Sequence, residues 1–267
     1  MDAVANHCRV GVDDHLHIRW QAPVTDGDRV VLRKGASPGT RVETVRGDRR
    51  SVRLPLAGLA PGKWEVRVES RGIDRPLLTD DPGFSFDELR DYAAGARDRT
   101  VRVVRAADGV VRLVVREVTP HAEVEIVDPR DGEIRFEGRL AYAGPRPGAD
   151  ARLVAVARDT EVTLTWDARL DGIDYRAALP VDDLAAREPA LWDLWLDVGA
   201  VGAGTGDAPD VHARLASRLD DATGKRGKLS YPRQLVVSGE RELAVRPYYT
   251  PWDNLSVACR PTGDGAQ

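Results

Sequence analysis

Apolar and polar positions alternate most strongly over Leu191–Val198, which reads Leu-Trp-Asp-Leu-Trp-Leu-Asp-Val. Successive side chains of an extended strand point to opposite faces. Trp192, Leu194, Leu196 and Val198 therefore share one face, and Asp193, Trp195 and Asp197 share the other. A second copy of the pattern occurs at Lys63–Glu69, with Trp64, Val66 and Val68 on the apolar side. Leu54-Pro55-Leu56 and Leu59 lead into Trp64, as Leu179-Pro180-Val181 and Leu184 lead into Trp192. Acidic doublets, Asp80-Asp81 and Asp220-Asp221, follow the two copies. The pattern predicts two diverged copies of one β unit.

The rest of the chain divides into short strands punctuated by turn residues. Cys8–Trp20 reads as two strands around Asp13-Asp14, followed by strands at Arg29–Arg33, Arg41–Val45 and Ser51–Leu54. Asp26-Gly27-Asp28, the Ser-Pro-Gly within Ala36–Thr40, and Arg46-Gly47-Asp48 separate them. The texture changes at Phe84. Ser85 with Glu88 three residues on forms a capping-box signal, and Asp87–Gly95 suits a short helix. Val101–Arg116 is a hairpin turning at Asp108-Gly109, with a counterpart at Leu243–Arg260 turning near Asp253-Asn254. Between them, strands are expected at Glu123–Val127, Glu133–Leu140, Arg152–Ala157, Glu161–Ala168, Ile173–Ala178 and Val211–Leu219, with a Gly-rich loop at Gly199–Asp210. Strands at such intervals predict an all-β fold of two tandem immunoglobulin-like β-sandwich domains joined by a short helical linker. The expected division gives residues 1–98 to the first unit and its linker and residues 99–267 to the second, longer one.

At 267 residues the chain is long enough for two cores. Its net charge of −4 argues against general nucleic-acid binding. The apolar runs fall far short of the ~20 residues that span a bilayer. The N-terminus lacks the basic and apolar regions of a signal peptide, so the expectation is a cytoplasmic protein. The two cysteines, Cys8 and Cys259, form no CxxC pair and read as structural thiols.

No catalytic motif emerges. The run Gly202-x-Gly204-x-Gly206 is not the dinucleotide fingerprint, no Gly-Lys-Ser/Thr follows it, and no GxSxG exists. His7, Cys8, His15 and His17, with Asp13, are the one cluster with metal-ligating side chains. Alternation explains them as the polar face of a strand whose Leu16, Ile18 and Trp20 point inward, so neither a metal nor a cofactor is expected. Acidic doublets read as turn and cap residues, since adjacent strand residues diverge. Two features point to binding instead. Gly224–Lys228 gathers Lys225, Arg226 and Lys228, and Tyr248, Tyr249 and Trp252 lie within five residues of one another. Cations beside aromatics suit an anionic, sugar-containing polymer, by charge pairing and stacking. Trp195, alone among acids on the outer face of its strand, is a further candidate.

Leu191–Asp197, Arg218-Leu-Asp-Asp, Tyr231-Pro, Arg246-Pro-Tyr-Tyr-Thr and Asp253-Asn-Leu-Ser-Val together resemble the C-terminal β-rich region of actinobacterial family-2-type glycosyltransferases and stand-alone relatives labelled as transferases. Those regions are similar in role to the tandem immunoglobulin-like domains of wall teichoic acid glycosyltransferases, which assist assembly and polymer engagement. The likeness spans mainly residues 175–260. The motifs are strands and turns, and the chain has no stretch able to form the Rossmann-like domain with a metal-binding Asp motif that a nucleotide-sugar transferase needs. The resemblance therefore implies a non-catalytic module beside a glycosyltransferase or another biosynthetic enzyme, and carries over no catalytic residue. Two alternatives stay open: an enzyme using an aromatic-lined cleft, and a structural module that forms homo-oligomers.

Overall fold

The computed structural model describes residues 4–35, 41–44, 49–83, 85–160, 162–199, 209–220 and 222–263. Most of the expected Gly-rich loop, the turns at 36–40 and 46–48, and Asp221 lie outside the described residues. The chain is mostly β and groups into two units, Met1–Ala93 with Arg97–Thr119, and Ala94–Ala96 with Pro120–Gln267.

The first unit contains β1 (Val4–Val10), β2 (His15–Trp20), β3 (Arg29–Arg33), β4 (Arg41–Thr44), β5 (Ser51–Pro55), β6 (Gly62–Ser70), β7 (Ile73–Pro76), β8 (Leu78–Thr79), helix α1 (Phe86–Ala94), β9 (Arg99–Arg105) and β10 (Val111–Glu117). One sheet runs β5-β2-β1-β8; the other runs β4-β3-β6-β10-β9, with β7 also on β6. Both contribute to one apolar core, in which Leu16, Ile18 and Leu54 from the first sheet join Leu32, Trp64, Val66, Val68 and Leu113 from the second. The Trp64 indole N–H donates to the Ala60 carbonyl at 3.0 Å. The hairpin β9–β10 pairs with β6, Leu113 opposite Trp64. Its ladder joins it to the second sheet of the first unit.

Helix α1 begins as its cap signal predicts, with the Glu88 amide donating to Ser85 Oγ at 3.4 Å. It is not a free linker. Arg9 on β1 donates to Glu88 at 2.7 Å, and the Tyr92 hydroxyl donates to Asp14 at 3.1 Å. Polar ties to the first sheet, with Tyr92 and Ala93 buried, hold the helix there.

The second unit contains β11 (His121–Arg130), β12 (Glu133–Ala141), β13 (Ala151–Ala157), β14 (Thr163–Asp171), β15 (Asp174–Pro180), helix α2 (Val181–Ala185), β16 (Ala190–Val198), β17 (Val211–Ala216), β18 (Gln234–Ser238), β19 (Arg241–Tyr249) and β20 (Leu255–Pro261). Seven strands close on themselves in the order β13-β14-β15-β12-β11-β17-β16, with β16 returning to β13. This closed barrel replaces the two-sheet sandwich expected for the second unit. The closure runs through β14, which spans nine residues and bonds to β15 through its last four while its earlier residues pair with β13. Strands β20, β19 and β18 extend the sheet from β16. Trp192, Leu194, Leu196, Phe136, Tyr175 and Leu215 fill the core together with Leu243, Val245 and Val257.

Candidate functional site

The basic stretch and the closing aromatic turn meet, because a turn residue ties them. Asp253 sits in the left-handed region (φ 56°) between β19 and β20. Its carboxylate accepts the Lys225 amide at 2.7 Å and the Gly224 amide at 3.0 Å. Burial works to raise the Asp253 carboxyl, but these amides and Lys225 outweigh it and hold it below the usual range.

The individual side chains divide sharply. Lys225 is buried, and its ammonium donates to the Ser217 carbonyl (2.9 Å), Asp220 (2.7 Å) and the Ala222 carbonyl (2.5 Å), 6.0 Å from the centre of the Tyr249 ring. That ammonium is spent on holding its own loop. Tyr249 is buried in the core. Neither faces solvent as a ligand contact should, which corrects the expectation for both. Arg226 and Lys228 are exposed; the Lys228 ammonium donates to the Thr223 carbonyl at 2.7 Å. Trp252 is 75% exposed at the tip of the turn. The loop end thus offers two cations and one indole.

Tyr248 lies on the opposite face of β19 from Tyr249, by strand alternation, and so leaves that group. It joins Trp195 on the outer wall of the barrel. There Asp193, which sequence reasoning passed over, collects the Arg158 guanidinium (3.0 and 2.7 Å), the Arg214 guanidinium (2.6 Å) and the Ser256 hydroxyl (2.9 Å). Burial tends to raise the Asp193 carboxyl, but Arg158, Arg214 and Ser256 hold it below its ordinary value. Arg158 lies 6.0 Å from the Tyr248 ring centre and Arg214 lies 5.2 Å from that of Trp195. The Trp195 ring itself stacks on His212 at 4.1 Å, so it is partly engaged within the protein. An acid beside Trp195 on the polar face of its strand was the available signal; the arginines and serine come from other elements and gave none.

The cluster near the N-terminus is dispersed by its partners. Cys8 is buried, and burial pushes its thiol far up. His7 lies 3.6 Å from Asp81. His17 bonds Asp13 at 2.9 Å, His15 bonds the Asp13 carbonyl at 2.7 Å, and Arg53 takes the other Asp13 oxygen. Among the described residues no group of three or more His, Cys, Asp or Glu side chains could hold a metal ion. Among the described residues no helix is long and apolar enough to cross a membrane.

No family model matches the chain, and no curated protein matches it. Among solved structures it is similar to S. aureus TarS 217–571 (16% identity, 60% of this chain and 44% of that one, TM-score 0.40). A second TarS crystal structure gives 14% identity over 66% of this chain and 33% of that one, with a TM-score of 0.41. The FN1–FN3 domains of chicken CNTN1 give 10% identity, coverage of 92% and 76%, and a TM-score of 0.22. The chain thus spans less than half the length of either TarS structure.

Proposed function

We propose that the chain is a non-catalytic binding and assembly module that engages an anionic, sugar-containing polymer beside a glycosyltransferase or another biosynthetic enzyme. The observation that carries the binding part is the double hydrogen bond from Gly224 and Lys225 to Asp253. It holds the loop bearing Arg226 and Lys228 against the turn bearing Trp252, so charge and a stacking surface are presented together on a backbone already ordered, which lowers the ordering cost of binding. Lys225 and Tyr249 act as supports beneath that surface. The two units are read as diverged copies of one β unit, the second closed into a barrel.

The test is binding to polygalacturonate across a salt series, with neutral dextran as control. Arg226→Gln with Lys228→Gln is expected to reduce affinity and flatten the salt dependence, since screened charge supplies that term. Trp252→Ala is expected to reduce affinity and leave the salt slope unchanged. Equal binding by all three proteins, or no preference for polygalacturonate over dextran, would sink the proposal.

A further inference from the structure

Strand β16 changes neighbours along one edge. Its first residues pair with β20, Asp193 opposite Ser256, and its last pair with β17, Trp195 opposite Arg214. Leu194 falls at the fork between them. Its carbonyl, which has no ladder partner on that edge, accepts the Arg214 guanidinium at 2.7 Å. Arg214, 10% exposed, thereby closes the fork with one amino group and reaches Asp193 and Ser256 with the other. Arg158 arrives from the end of β13, its own amide fixed to the Leu191 carbonyl at 3.0 Å.

The balance of donors and acceptors at this fork is uneven. A single oxygen of Asp193 accepts four hydrogen bonds, two from Arg158, one from Arg214 and one from Ser256. Two guanidinium groups hydrogen-bond one carboxylate, and Asp159 lies within electrostatic reach of Arg158. The Tyr248 hydroxyl, beside Arg158, is buried and has no hydrogen-bond partner among the described residues. A buried O–H without an acceptor is costly. An oxyanion would supply that acceptor and pair with the guanidinium beside the ring, because its oxygens accept from a guanidinium and a phenol alike.

We propose that the β16 fork is a binding site for a single oxyanion group, carboxylate or phosphate, held by Arg158 and the Tyr248 hydroxyl while Arg214 and Ser256 fix Asp193 beneath it. The site uses none of the loop-end residues and stands independently of that surface. Arg158, about one-third exposed, presents the anchor to solvent.

The experiment is calorimetric titration of the whole chain with glucuronate, with glucose 1-phosphate, and with glucose as the neutral arm. Binding of the carboxylate sugar, the phosphate sugar or both, without glucose, is the expected result and identifies which oxyanion the fork prefers. Arg158→Gln is expected to weaken that binding by about tenfold or more, the size of a lost charge-assisted hydrogen bond. Tyr248→Phe, which keeps the ring, should weaken it by a smaller factor. Asp193→Asn should tighten it by removing the internal competitor charge. Arg226→Gln with Lys228→Gln should leave it unchanged, which separates this site from the loop-end surface. Thermal melting of each variant checks that the fold persists. No binding of either anionic sugar, or binding that Arg158→Gln and Tyr248→Phe both leave intact, overturns the proposal.

Discussion

A buried carboxylate in the first unit shows how much a single residue can organise. Asp81, 5% exposed, accepts the Cys8 amide at 3.0 Å, the Gly83 amide at 2.9 Å and the Arg9 guanidinium at 2.9 Å. Burial tends to raise its carboxyl, but Arg9 and the two amides win and hold it below the ordinary carboxylate range. Asp81→Ala would leave two buried amides without acceptors, a loss of about 2–4 kcal/mol at one to two kcal/mol for each. The sign of the pH effect follows from the depressed value. The stability that Asp81 adds is complete above the unfolded-state pKa and disappears as pH falls through its lower folded-state value. Urea unfolding at neutral pH should therefore separate Asp81→Ala from the parent, and the gap should narrow in strong acid, where the charge-linked part is lost while the neutral carboxyl still accepts. A gap of the same size at low pH would mean that ionisation of Asp81 adds nothing. The long-range part of this was not legible in the sequence, where Asp80-Asp81 read as a turn doublet; Cys8 and Arg9 lie over seventy positions away.

Elements were more legible than contacts, for a physical reason. Alternation is a local property, so β3 and the turn of the β9–β10 hairpin appear where the pattern puts them. Strand β18 was missed because its apolar residues, Leu235-Val236-Val237, run together without alternating, and helix α2 because five residues are too few for a helical period to show. The loop-end site was half legible. Composition marked the basic loop, but burial of Lys225 depends on carbonyls that only the folded loop aims at its ammonium. The β11–β12 pair holds a feature that alternation cannot reveal. Its register shifts between Val124 and Ile126, and Gly138 stands opposite Val124. A Cβ at Gly138 would lie 1.9 Å from the Glu123 carbonyl oxygen, which is backbone and cannot swing aside. The bulge and the glycine thus accommodate one another, and Glu123 is thereby placed to accept the Arg218 and Leu219 amides with its side chain. Gly138→Ala should cost at least ~2 kcal/mol in unfolding free energy, as overpacking against a fixed backbone does. A neutral result would show that the ladder yields at the bulge.

Across the whole molecule, the strand orders of the two units can be set side by side. β5-β2-β1-β8 corresponds to β15-β12-β11-β17, and β4-β3-β6-β10-β9 corresponds to β14-β13-β16-β20-β19. In the first unit β7 takes the edge of β6 and β8 lies parallel to β1; in the second, β17 alone does both. Trp64 on β6 and Trp192 on β16 are 4% and 0% exposed. Replacing either by Ala should cost ~3–5 kcal/mol, as loss of a large buried aromatic does. The two indoles differ in one respect that a milder substitution isolates. The Trp64 N–H donates to Ala60, whereas the Trp192 N–H is buried without a partner among the described residues. Trp64→Phe removes volume and also a hydrogen bond; Trp192→Phe removes similar volume but relieves an unpaired donor. Chemical unfolding should therefore find Trp192→Phe the less costly of the two, by ~1–2 kcal/mol. Equal costs would mean that the barrel core satisfies the Trp192 N–H in solution, and a larger cost at Trp192 would mean that cavity formation in a closed barrel outweighs the polar term.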